Sequence, residues 1–225
     1  MHPPLAVDID GTLTGPDRRL DPRVLSVLRA WAAPVVVATG KALPYPVALC
    51  EFVGVEPTVI AENGGVTVGP DAIEVIGDRT AADAVVAAYR SRGYGLGWDG
   101  RDLANRWRET EVVVHRDQPL EPLQECARAE GLEVVDSGYA YHVKSPAVSK
   151  GAALEEVADA LGLDPSSFAA IGDSANDVAL FERVGTAIAV GNAAPDLRAV
   201  ADAVTDASYA DGFLEATTRL EEAPE

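Results

Sequence analysis

Four short polar clusters hold the residues of this chain that are suited to chemistry. The first is Asp8-Ile9-Asp10-Gly11-Thr12, two carboxylates two residues apart just past the apolar run Leu5-Ala6-Val7. Such a pair repels itself, and in a low-dielectric site each carboxylate needs a cation or hydrogen bonds to stay ionised. A bound Mg²⁺ would supply that cation, and a carboxylate can also act as a covalent nucleophile. The second cluster, Thr39-Gly40-Lys41, offers a hydroxyl and backbone N–H groups suited to a phosphate oxygen. The third, Ser149-Lys150-Gly151, puts a lysine where a helix starts. The positive end of the helix dipole disfavours a cation there unless an anion sits between. The fourth is Gly172-Asp173-Ser174-Ala175-Asn176-Asp177. Asp173 and Asp177 are about one helical turn apart, and their oxygens can serve one hard cation. Each cluster alone also reads as a turn, a solvated lysine or a helix cap. Turn chemistry does not account for all four, each at a strand end or a helix start.

The elements that must position these clusters can be read from apolar patterning. Buried strands are expected at 5–7, 34–38 and 58–61, with helices at 21–31 and 44–53 between them. Strand, helix, strand alternation implies a parallel sheet with right-handed crossovers. A hairpin is expected at 65–75 around Gly69-Pro70-Asp71. The pattern then changes. Helices at 80–90 and 120–130 and strands at 111–115, 132–135 and 139–143 form an α+β run. Residues 78–147 are therefore read as a second domain inserted into a core made of 1–77 and 148–225. The alternation resumes with a helix at 149–161, a strand at 168–171, a helix at 176–184, a strand at 186–190 and helices at 195–201 and 212–220. Residues 221–225 read as a solvated tail. In an open parallel sheet ligands gather beyond the carboxyl ends of the strands, so the clusters are expected to converge there.

Composition narrows the partners. The 225 residues carry 36 acidic and 18 basic side chains, a net charge of −18. That balance argues against a nucleic-acid binder and against an anionic membrane surface. No apolar run approaches the ~20 residues of a membrane span, and no secretory signal is apparent, so a cytoplasmic location is expected. Only three of the cations are lysines, Lys41, Lys144 and Lys150. Lysine scarcity with an acid excess fits a halophilic cytosol, and GC-rich codon usage would produce it too. Cys50 and Cys126 have no metal-ligand spacing and read as small buried hydrophobes.

With Asp8–Thr12, Thr39, Lys150 and Gly172–Asp177 in this order, the chain resembles the haloacid dehalogenase superfamily of phosphohydrolases. The resemblance covers both ends of the chain, and the insert between the second and third motifs is similar to a C2-type cap. It implies an α/β fold, a Rossmann-like parallel-sheet core with helices on both faces and a small α+β cap. The small cap and total length look most like the archaeal phosphoglycolate phosphatases of that superfamily. Ala61–Gly65, 136–143, 190–193 and 209–216 support the match, and Lys41 is a departure from those relatives.

The resemblance further implies a Mg²⁺-dependent phosphomonoester hydrolase working through an aspartyl-phosphate, with 2-phosphoglycolate as substrate. Asp8 would be the nucleophile and Asp10 the general acid and base. Mg²⁺ would be held by Asp8, the Asp10 carbonyl and Asp173, with Asp177 close by. Thr39, Gly40 and Lys150 would hold the phosphoryl oxygens, and Asn176 would orient Lys150 or a metal ligand. In the cap, His115 and His142 read as hydrogen-bonded strand residues, while Arg106, Arg108 and Arg116 are carboxylate candidates by chemistry. The alternatives are a sugar-phosphate phosphatase of the sucrose-phosphate or mannosyl-3-phosphoglycerate type, a phosphomannomutase-like phosphotransferase, and a non-catalytic binding protein. A monomer or homodimer with a small phosphorylated substrate is expected.

Overall fold

The computed structural model describes residues 2–222. Its centre is β1 (Leu5–Val7), a three-residue strand with no exposed side chain. β1 pairs in parallel with β2 (Val35–Ala38) on one side and β9 (Ala169–Gly172) on the other. The sheet continues outward through β3 (Thr58–Ala61), β4 (Val66–Val68) and β5 (Ile73–Val75) on the β2 side. On the β9 side it continues through β10 (Thr186–Ala189) and β11 (Ala203–Val204), giving the order β11-β10-β9-β1-β2-β3-β4-β5. All pairs from β11 to β3 are parallel, and the β3-β4-β5 hairpin edge is antiparallel. The chain leaves β1 toward β2 and returns at β9, so the strand order reverses at β1. Parallel strands buried on both faces need apolar side chains in both directions. Leu5 and Val7 face one core, with α1 (Pro22–Ala30), α2 (Pro44–Val53) and α8 (Tyr209–Glu222) over it. Ala6, Ala38, Ala170 and Ala189 face the other, under α5 (Lys150–Ala160), α6 (Val178–Phe181) and α7 (Pro195–Val200).

A second, smaller sheet builds its own layer. β6 (Val112–His115), β8 (Ala140–Lys144) and β7 (Glu133–Asp136) form an antiparallel sheet in the order β6-β8-β7. α3 (Arg79–Ser91) and α4 (Leu120–Ala129) cover one face of it, and Val85, Tyr89, Val114, Leu123 and Val143 make a third, separate core. Helix ends agree with their capping residues. Asp21 accepts from the Arg23 N–H, Asp78 from Ala81 and Ser149 from Ala152.

The expected fold class holds, with local differences. The helix expected at 176–184 is a 3₁₀ turn at Ala175–Asp177 followed by the single turn of α6. It is short because Gly185 and Thr186 already bond back to the Phe168 carbonyl to enter β10. α8 starts at Tyr209 rather than 212, and the two-residue β11 carried no strand signal. Of the expected tail, Glu221 and Glu222 finish α8, and 223–225 lie outside the described residues. Cys50 and Cys126 are both buried and unpaired, and burial pushes the Cys50 thiol up to about 11.

Candidate active site

The carboxyl ends of β1, β2, β3 and β9 and the first turn of α5 converge, as strand-order reversal at β1 predicts. Asp8 leaves β1 with its N–H bonded to the Ile171 carbonyl of β9, so the neighbouring strand fixes its backbone. Its carboxylate meets Lys150 from α5: the ammonium donates to Asp8 Oδ1 at 2.7 Å and to Asp177 Oδ1 at 2.6 Å. All three side chains are buried. Asp177 Oδ2 accepts from the N–H groups of Asp173 and Ser174, both at 3.2 Å, so this carboxylate is also the clip that shapes the β9 loop. Asp173 has less support: among the described residues its Oδ2 accepts only from the Asn192 amide, at 3.3 Å. Its Oδ1 is buried and meets no hydrogen-bond partner among the described residues.

Asp8, Asp173 and Asp177 each offer an oxygen within 4.8 Å of the others. Three carboxylates and one ammonium sum to −2 when all are ionised. Burial, together with the Asp177 and Asp10 charges, pushes the Asp8 carboxyl up to about 7 against the pull of Lys150. Burial, then the Asp8 and Asp177 charges, push Asp173 up to about 9. Burial works against the Lys150 ammonium, yet Asp177 and Asp8 outweigh it and hold its proton more tightly than usual. An orphaned buried oxygen, a deficit of two positive charges and an all-oxygen donor set fit a hard divalent cation. Gly11 completes the floor. Its φ is +82°, and a Cβ there would lie 2.0 Å from Asp173 Oδ2, so only glycine lets the two loops meet.

The other expected residues are placed unequally. Asp10 is half-exposed, lines the same cavity as Asp8, and pairs with Lys41 Nζ at 3.0 Å and Arg18 Nη2 at 3.2 Å. Lys41 is therefore engaged with the second carboxylate of the first motif. Thr39 is fully buried, and its hydroxyl accepts from the Lys41 N–H at 3.1 Å, holding the turn that carries Gly40. Among the described residues Asn176 makes no hydrogen bond with Lys150, whose bonds go to Asp8 and Asp177. Its amide donates to Asn63 Oδ1 at 2.9 Å, and its Oδ1 accepts from the Ser174 hydroxyl at 2.6 Å.

The motif clusters alone do not reveal the ties to the insert. Glu62 and Asn63, just past β3, both have positive φ, at 51° and 59°. Glu62 accepts from the Glu109 and Thr110 N–H groups and the Thr110 hydroxyl, bonds that offset the backbone strain. The Asn63 amide donates to Glu111 Oε2 at 3.0 Å. Glu111 is fully buried, paired with Arg108, and accepts from His142 Nδ1 at 2.8 Å. Burial opposes its ionisation, but His142 and Arg108 outweigh it and hold its carboxyl down to about 2. Arg18 stacks 3.4 Å above the Tyr139 ring, and Tyr45 meets Trp107 edge-on at 6.5 Å. A run of Glu-Asn-Gly-Gly after a buried strand was the one sequence signal for this seam. His115 pairs with Asp117 and Arg116 with Asp136, both away from the trio. Arg106 is exposed and does not line the cavity.

Between the two layers lies a cavity of about 290 Å³ lined by Asp8, Asp10, Lys41, Tyr139, His142 and Asn176 among others. That is the small end of ligand pockets, which run roughly 300–1,000 Å³. Among the described residues no helix is long and apolar enough to cross a membrane.

Residues 5–87 and 119–216 match the haloacid dehalogenase-like hydrolase family. The chain belongs to that family. It is an enzyme, a hydrolase, as the four motifs led one to expect. It is 59% identical over 221 residues to a phosphoglycolate phosphatase of Natronomonas pharaonis, covering 97% of this chain and 98% of that one. It is 58% identical over 216 residues to a phosphoglycolate phosphatase of Haloarcula marismortui, covering 95% of each. A crystal structure of a Thermoplasma acidophilum protein superposes with a TM-score of 0.84 at 25% identity, over 98% of this hydrolase and 99% of that chain. A haloacid dehalogenase-like hydrolase from Bacteroides thetaiotaomicron shares the fold, with a TM-score of 0.78 at 20% identity over 98% and 100%. The charge balance expected of a halophile is matched by relatives from halophilic archaea.

Proposed function

We propose that this hydrolase is a Mg²⁺-dependent phosphatase of small phosphomonoesters that bear a carboxylate, 2-phosphoglycolate first among them. The observation that carries the reading is the Asp8–Asp173–Asp177 trio with Lys150, of which Asp8 lines a cavity of about 290 Å³. Relatives covering nearly the whole chain and named phosphoglycolate phosphatase support it. Asp8 and Asp173, with the Asp10 carbonyl, would hold the cation, and Asp177 serves chiefly to position Lys150 and the loop. A cation held there would neutralise the carboxylates and screen the phosphoryl charge from them.

Asp8 attacks phosphorus, and the bond from phosphorus to the ester oxygen breaks as the aspartyl-phosphate forms. Asp10 gives the departing alkoxide its proton, then takes one from the water that hydrolyses the acyl phosphate. The products are the alcohol, glycolate for this substrate, and inorganic phosphate. Lys150, Gly40 and Thr39, the last through the turn it holds, position the phosphoryl oxygens. Residues 78–147 act as the cap over a core of 1–77 and 148–225, excluding water and reading the organic end of the substrate. The reaction runs in the cytoplasm.

The test is a substrate panel with Mg²⁺ at low and high KCl. 2-Phosphoglycolate should show the highest kcat/KM, and chelation should remove the activity. Equal or faster turnover of hexose phosphates would refute the substrate reading, and no Mg²⁺-stimulated hydrolysis of any aryl phosphate would refute the phosphatase.

A further inference from the structure

A substrate whose phosphoryl group sits at Asp8 presents its other end to the rest of the cavity lining. Part of that lining comes from residues 97–105, between α3 and β6, a stretch with no regular element. It is nevertheless anchored at both ends. The Trp98 indole N–H donates to the Val113 carbonyl at 2.9 Å, and the ring packs against His115 and Tyr139. At the other end the Asn105 amide donates to the same Val113 carbonyl at 2.9 Å, and its oxygen accepts from the Val113 N–H at 2.7 Å. Gly97 has a φ of +75°, and a Cβ there would lie 2.7 Å from the His115 Cβ, so the loop is pinned tightly onto β6. The residues held between these anchors include Asp99 and Arg101, both lining the cavity.

Four lysine and arginine side chains line it, and three are already engaged. Arg18 and Lys41 pair with Asp10. Arg108 pairs with Glu111 and donates to the Ala104 carbonyl. Arg101 pairs with no carboxylate among the described residues. A guanidinium whose donors are not spent on the protein is the one that can give them to a ligand carboxylate, in the fork geometry arginine suits. Resting on the proposed function, we infer that Arg101 is the specificity-determining residue that binds the carboxylate of the substrate, and that Asp99 beside it opposes that binding by repulsion.

The two residues predict effects of opposite sign. The readout is the ratio of kcat/KM for 2-phosphoglycolate to that for ethyl phosphate, its counterpart without the charge, measured at one fixed KCl concentration. Wild type should favour 2-phosphoglycolate. Arg101→Ala should lower the ratio about tenfold, through KM rather than kcat, the worth of one exposed charge-assisted hydrogen bond. Arg101→Lys should restore part of the loss, and Asp99→Asn should raise the ratio above wild type. A wild type that turns over ethyl phosphate and ignores 2-phosphoglycolate would overturn the function reading itself. A wild type with the expected preference, kept whole in Arg101→Ala, would overturn the role of Arg101 and leave the function standing.

Discussion

Replacing Asp173 by asparagine should make the metal-free protein more stable and deaf to Mg²⁺. The Asp173 carboxyl releases its proton at 3.8 in the unfolded chain and near 9 in the fold, where burial and two like charges hold it. Across that window the folded state binds more protons, so it loses stability as pH rises. At pH 7 this amounts to on the order of 4 kcal/mol, at about 1.4 kcal/mol per pH unit. Asparagine removes the charge but keeps an amide at a place where Asp173 Oδ1 finds no partner. An unsatisfied buried group costs roughly 1–3 kcal/mol, which leaves a gain of about 2 kcal/mol. For a chain of this length that is a rise in Tm of roughly 4–8 °C. Wild type should behave in the opposite way. With Mg²⁺ at about a hundred times its Kd it gains about 2.7 kcal/mol, and asparagine should forfeit most of that. Thermal melts at pH 7 with EDTA and with MgCl₂ measure both effects. A metal-free Asp173→Asn protein that melts no higher than wild type, or that shows the full Mg²⁺ shift, would refute the reasoning.

Three further outcomes are expected. Asp8→Asn should lower kcat by at least about a thousandfold with the circular dichroism spectrum unchanged; turnover within about tenfold of wild type would remove Asp8 as nucleophile. Glu111 ionises near 2 in the fold against 4.5 unfolded, so the stability it brings is complete above about pH 4.5 and lost as pH falls toward 2. Glu111→Gln should therefore cost about 3 kcal/mol in denaturant melts at pH 7 and less than half of that near pH 3; an equal gap at both would contradict the pairing with Arg108 and His142. Gly11→Ala places a Cβ 2.0 Å from Asp173 Oδ2 in a backbone conformation that disfavours it. It should cut activity by roughly a hundredfold and shrink the Mg²⁺-dependent Tm shift; wild-type values of both would show that the two loops part freely.

The network that Glu111→Gln would probe also explains how the insert is held. It joins residues flanking the large sheet to those of the small sheet through neutral amides and two buried, multiply bonded carboxylates: Asn176 to Asn63, Asn63 to Glu111, and Glu62 to the Glu109 and Thr110 N–H groups. Such a seam has a defined geometry, because leaving any member unpaired in the low-dielectric interior is costly. Arg18 on Tyr139 and Tyr45 against Trp107 close the same side with exposed, weaker contacts.

The sequence by itself determined the parallel sheet and the motif residues at the strand ends. Those depend on local signals. A buried strand must be apolar and the chain must turn where it ends, so Asp8, Thr39 and Asp173 declare their positions within a few residues. Lys150 was legible because a cation at a helix start contradicts the local dipole. Tertiary structure decided everything whose cause lies far along the chain. Lys150 reaches Asp8 across 142 positions, and Asn176 reaches Asn63 across 113. It also decided which cations are spent and which are free. Arg106, Arg108 and Arg116 look alike in a sequence, yet one is exposed, one is neutralised by Glu111 and one by Asp136. Arg101, in a stretch with no periodicity at all, faces the cavity because Trp98 and Asn105 tie its loop to β6. Periodicity reports which side chains are buried, whereas the pairing of charges depends on which loops the fold brings face to face.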